Sequence, residues 1–201
     1  VKHLVDGDTV WAMATARQEL KDESRLLEFR LGEIRNLLVR GNELIALETF
    51  RASNISLLRA CRRLCSERAH EHAGDPTAWD PDDRGLEFPW TAVQSYFRAL
   101  SDFAARALRS SAGMTASITH EIARSFALGV CICPSAAVKI AIWMSEANLI
   151  SGKGSVHDVA TLVQGQFQLL EILGVPAPTL ARDLFTRAVS LDPRHNFDAS
   201  T

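Results

Sequence analysis

The sequence predicts an all-α protein, built as a long amino-terminal helix or helical hairpin followed by a compact multi-helix bundle. Three observations carry this expectation. From Leu20 to Leu64, apolar residues recur at helical spacing and are interleaved with Arg and Glu, the pattern of helices that bury one face. No stretch shows the two-residue alternation of a half-buried strand. Beyond Trp90, Pro, Gly and Ser punctuate further apolar-periodic segments, as expected for short packed helices.

The amino-terminal pattern resolves into two stripes. Leu27, Leu31, Ile34, Leu38 and Ile45 form the first, with Gly41 in its missing position; Leu47, Phe50, Leu57, Cys61 and Leu64 form the second, which passes through Asn54. Such stripes predict a long, coiled-coil-like seam against another helix, in the same chain or in a second copy. The stripes fall out of register at Gly41-Asn42. Gly followed by Asn can end one helix and open the next, so a hairpin is favoured over one helix with a phase shift.

In chain order, Asp6 to Thr9 form a capping turn ahead of a helix from about Trp11 to Arg40, rich in Ala, Leu, Arg and Glu. The second helix becomes polar after Leu64 and ends near His72. "GDPTAWDPDDRGLEFPW" reads as an ordered connector, pinned by Trp79, Leu86, Phe88 and Trp90. Val93, Phe97, Leu100, Ala104 and Ala107 mark the next helical face, and Ile118, Ile122 and Phe126 the one after. Pro134-Ser135 opens a helix to Asn148, and Gly152-Lys153-Gly154 breaks it. Ser155, with Asp158 three residues on, resembles a capping box for a helix striped by Val156, Val159, Val163, Phe167 and Leu170. Gly174 fits the position past its end, and Thr179 to Ser190 form the last helix. The expected organisation is a helical seam region at 1–72, an acidic Pro-containing connector at 73–90, a helical domain at 91–192 and a frayed tail at 193–201.

Composition narrows the function classes. With 47% apolar and 23% charged residues the chain is expected to fold. A net charge of −2 means that any nucleic-acid binding needs a local basic patch. Lys occurs only at 2, 21, 139 and 153, and all other strongly basic residues are Arg. Arg suits bidentate pairing with carboxylate or phosphate, though codon usage explains the bias equally well. The opening Val1 reads as a processing boundary, with no basic-then-apolar leader ahead of the first helix. The longest apolar run, Phe126 to Met144, is broken by Pro134, Ser135 and Lys139, so no membrane association is expected. Four cysteines in two close pairs do not suggest a secreted disulfide scaffold; a cytoplasmic setting is the expectation.

Several clusters bear on chemistry. Cys61, Cys65, His70 and His72 could close a tetrahedral zinc site, but their spacing matches no usual zinc pattern. Seam packing and a solvated helix end account for them without metal, so no metal or other cofactor is expected. Cys131 and Cys133 could extend such a site or form a redox pair, but read better as core. Asp80, Asp82 and Asp83 are clustered loop carboxylates but do not match a twelve-residue calcium loop, which ends in a glutamate. His120-Glu121 and His157-Asp158 are sequence neighbours on helices, where adjacent side chains point about 100° apart and make no dyad. Each acid is expected in a first helical turn. With no nucleophile turn or phosphate loop either, no catalytic residue is assigned and no enzymatic activity is expected.

The order helix, turn, helix from Pro134, then Gly-Lys-Gly, resembles a winged helix-turn-helix. Its recognition position, "PSAAVKIAIWMSEAN", offers one Lys and mostly apolar side chains, which suits burial and not base reading. The better basic feature is Arg51, Arg59, Arg62, Arg63 and Arg68 on a flank of the second helix. These could grip phosphates, an acidic partner, or the chain's own acidic connector. The sequence therefore predicts a non-enzymatic assembly or adaptor protein, self-associating or bound to a partner protein. A nucleic-acid-associated helical protein using the Arg flank, nucleocapsid-like or regulatory, is the alternative.

Overall fold

The chain turns back on itself at Gly41. The computed structural model describes residues 7–71, 90–109, 116–133, 136–150 and 158–191. Helix α1 spans Gly7–Val39 and α2 spans Glu43–Glu71. Between them Gly41 takes φ +75°. The Asn42 N–H donates to the Leu37 carbonyl at 2.9 Å, and the Gly41 N–H to Leu38 at 3.0 Å. This double closure satisfies carbonyls that the helix end would otherwise orphan, and it needs the left-handed residue that glycine supplies without strain. The same closure ends two later helices, with Asn148 and Gly174 in the left-handed position.

After a 3-10 turn at Trp90–Ala92 come α3 (Gln94–Arg109), α4 (Ala116–Ile132), α5 (Ala137–Glu146), α6 (Val159–Ile172) and α7 (Thr179–Ser190). No strand occurs among the described residues, and the all-α expectation holds.

The hairpin seam is longer than the stripes suggested. Met13, Ala16, Leu20, Ser24, Leu27, Leu31 and Ile34 are buried along α1. Their spacings are all three or four residues, over roughly 32 Å of helix. Ala46, Phe50, Leu57, Ala60, Cys61 and Leu64 answer along α2. Ser24 and Ser53 lie within these stripes and donate back to Leu20 and Thr49 carbonyls, each at 2.8 Å, so neither hydroxyl is left unpaired. Leu38 and Leu47 are partly buried against the same core. One expected seam member differs: Ile45 is 54% exposed. The turn at Gly41 restarts the helical phase, so Ala46 points inward in its place.

The seam faces the rest of the chain. α1 also packs on α3, α2 on α4, α4 on α6 and α5 on α7. One continuous hydrophobic core runs from Met13 to Phe185 and includes residues from both sides of the expected connector. Of the connector, Trp90 is described and residues 73–89, with Trp79, Leu86, Phe88 and the acids from Asp75 to Glu87, lie outside the described residues, as does the tail.

Helix α4 is the centre. Every residue from Ile118 to Cys133 is buried except His120, which is exposed, and Arg124, which is half-buried. The sequence had pointed instead to the helix after Pro134 as the one buried all round. That helix, α5, buries Ala137, Ile140, Ala141 and Met144 but leaves Val138 and Ile142 in solvent. α6 also begins later than expected: Asp158 is itself the cap, accepting from the Thr161 N–H at 3.2 Å and the Thr161 hydroxyl at 2.8 Å. Ser155 lies outside the described residues.

α3 meets α4 through a close approach at Gly129. The Phe97 ring lies where a side chain at 129 would stand, its Cζ 2.5 Å from the position of an added Cβ. Trp90 stacks on Phe97 at 5.8 Å and touches Trp143 at 5.5 Å, between ring centroids. Gly129→Ala must therefore push Phe97 and its Trp90 neighbour. We expect a loss of about 1–3 kcal/mol, the usual range for overpacking, measured by urea unfolding with a shift in native tryptophan emission.

Candidate interaction surfaces and the buried polar cluster

Glu121 is the most constrained charged residue described. It lies in the second turn of α4, not the first, and is 3% exposed. Asn54 Nδ2 donates to its carboxylate and to its backbone carbonyl, each at 2.9 Å. Arg124 Nη1 lies 3.2 Å from Oε2, and Arg51 Nε lies 3.4 Å from Oε1. Ser125 donates to Asn54 Oδ1, and Arg124 Nε reaches Gln166 Oε1 at 3.3 Å on α6. The cluster joins α2, α4 and α6 and fixes their register. Asn54, the polar interruption in the second stripe, was its only visible trace in the sequence. His120 points to solvent and has no part in it.

Tyr96 is buried beside Ser125, Cys61 and Glu23, without a hydrogen bond of ordinary geometry. Burial pushes its phenol well above the usual range, and Cys61 and Glu23 add to this against the opposing pull of Ser125. This environment keeps the hydroxyl neutral and gives no reacting group an approach from solvent.

The expected Arg flank divides. Arg51 belongs to the Glu121 cluster, and Arg63 Nη1 pairs with Glu19 Oε2 of α1 at 2.7 Å. Arg59, Arg62 and Arg63 line one cleft of about 600 Å³, with Cys65, Glu67 and the Gly174-to-Pro176 turn. The Arg62 guanidinium lies beside Gly174, its Nε 3.5 Å from the position of an added Cβ, an ordinary contact distance. The Arg68 side chain lies outside the described residues. A second cleft of about 370 Å³ mixes Arg98 and Arg106 with Asp102 and Glu146, beside Trp143. Its balanced charges select no ligand class.

None of the four cysteines is in a disulfide. Cys61, Cys131 and Cys133 are buried, and Cys65 is half-buried at the Arg cleft. Burial pushes the Cys131 thiol well up, Cys65 adds to the shift and Arg182 opposes it. The His70 side chain and His72 lie outside the described residues. No group of three or more His, Cys, Asp or Glu side chains able to hold a metal occurs among the described residues, and no described helix is long and apolar enough to cross a membrane.

The third surface is one that stripe reading missed. α1 presents Trp11 and Phe29 to solvent, each 70% exposed, with Leu26 beside Phe29. The hairpin tip adds Val39, Leu44 and Ile45, all exposed. Trp11 and Phe29 are five helical turns apart and so share the outer face of α1. These residues lie off the inward stripes, so the burial period does not mark them.

Burial predicts that a maleimide at neutral pH modifies Cys65 alone in the folded chain, and all four thiols in denaturant, counted by mass spectrometry. Comparison with protein-family models, with curated proteins and with solved structures returned no match.

Proposed function

We propose that this is a non-enzymatic helical assembly or adaptor protein that works through protein–protein contact and associates with itself. The observation that carries the reading is the outer face of α1, where Trp11 and Phe29 stand in solvent. Exposed large apolar side chains mark contact surfaces where they adjoin one another, as Leu26 and Phe29 do on this face. The seam residues Leu27, Leu31, Ile34, Phe50, Leu57 and Leu64 are covered within the chain. They serve as the rigid backing for this face and not as the contact.

A second reading has its own support. Arg59, Arg62 and Arg63 converge on one cleft, a placement that suits phosphate oxygens and the nucleic-acid-associated alternative. Glu19 and Glu67 beside them reduce the local positive charge, which keeps this reading second.

Mass by light scattering across a concentration series, with and without nuclease, separates the two. We expect a mass above the monomer that nuclease leaves unchanged and that Phe29→Ser lowers. A strict monomer at every concentration overturns self-association. A mass that nuclease collapses transfers the function to the Arg cleft. In that case Ala at 59, 62 and 63 abolishes a salt-sensitive binding of single-stranded RNA.

A further inference from the structure

The outer face of α1 carries more than exposed aromatics: its charges are arranged symmetrically about Phe29. Arg25 and Glu33 lie four residues before and after Phe29, and Leu26 and Gly32 lie three before and after. Asp22 and Asn36 lie seven before and after. All of these are exposed. At about 100° per residue, Arg25 and Glu33 sit roughly 40° to either side of the Phe29 direction and about 6 Å along the axis from it. Inward, α1 packs on α2 and α3; the Phe29 side points away from both.

We propose that this face binds the same face of a second copy, antiparallel, about a two-fold axis level with Phe29. The inference rests on the assembly reading and names its partner. In that arrangement Phe29 meets the partner's Phe29. Arg25 comes level with the partner's Glu33, and Glu33 with the partner's Arg25, so one pairing forms twice, as a two-fold contact requires. Leu26 comes level with the partner's Gly32. A Cβ at Gly32 would meet nothing within 4 Å, and the bare position leaves room for the incoming helix. Asp22 faces the partner's Asn36, an acid beside an amide. Parallel pairing would instead set Arg25 against Arg25 and Glu33 against Glu33. The Arg25–Glu33 pairing across the Phe29 seam thus favours a second copy in the antiparallel direction.

Charge swaps in the full chain test this by sedimentation. Arg25→Glu and Glu33→Arg each leave two like-charge contacts across the axis. Each should weaken self-association about ten-fold or more, with unchanged far-UV circular dichroism. The double variant R25E/E33R should regain it. The two single variants mixed in equal amounts should form a mixed dimer, since opposite charges then face at both ends. Wild-type association that ignores both swaps overturns this interface but leaves the assembly reading standing. A wild-type chain that stays monomeric overturns both. Loss in the single swaps without recovery in the double variant or the mixture also overturns the two-fold pairing.

Discussion

A carboxylate enclosed by helices must be neutralised and hydrogen-bonded, and the way Glu121 meets that demand sets the arrangement of the bundle. Leaving an ion buried without partners costs several kcal/mol. Glu121 therefore requires Asn54 from α2 and the guanidinium groups of Arg51 and Arg124. Arg124 in turn extends to Gln166 on α6. Apolar contacts tolerate a helix sliding by a turn far better than this set does, because each donor has one useful position. The Glu121 cluster supplies register, and the surrounding apolar surface supplies most of the driving force.

That division follows from α4's position. A helix enclosed on nearly all sides must be apolar nearly all round, and Phe126 to Cys133 satisfies this. Its neighbours then need small residues where axes come close. Gly129 admits the Phe97 ring, and Phe97 supports Trp90 and through it Trp143 on α5. The hairpin solves the same problem from outside. Its inner face is a seam of Leu, Ala and Ser, narrow enough to leave Arg and Glu on both flanks.

Much of this was legible in the sequence, and the failures have a physical pattern. Inward faces were readable because burial imposes a period: Phe97, Ile122, Val163 and Phe167 fell where spacing put them. The helix stop at Gly174 and the turn at Gly41 were readable because left-handed backbone favours glycine. Pairing between distant segments leaves no period. Glu121 looked like a first-turn acid because its partners stand 67 and 70 residues earlier, at Asn54 and Arg51. Ile45 was misplaced because spacing was carried through a turn that resets it. α5 looked buried all round because apolar content measures what a face could bury, not what covers it.

The folded chain also carries apolar content beyond what the fold consumes. Burying a large apolar side chain is worth about 1.5–3 kcal/mol, and the folded chain leaves two aromatic rings on α1 without that gain. Neither ring is among the residues packed against the core, so a polar side chain would serve the monomer at positions 11 and 29 equally well. The seam and the Gly41 turn hold α1 against α2, and α3 packs on it as well. A well-supported helix with rings on its free side suits a helix-to-helix contact, because less freedom remains to be lost on association.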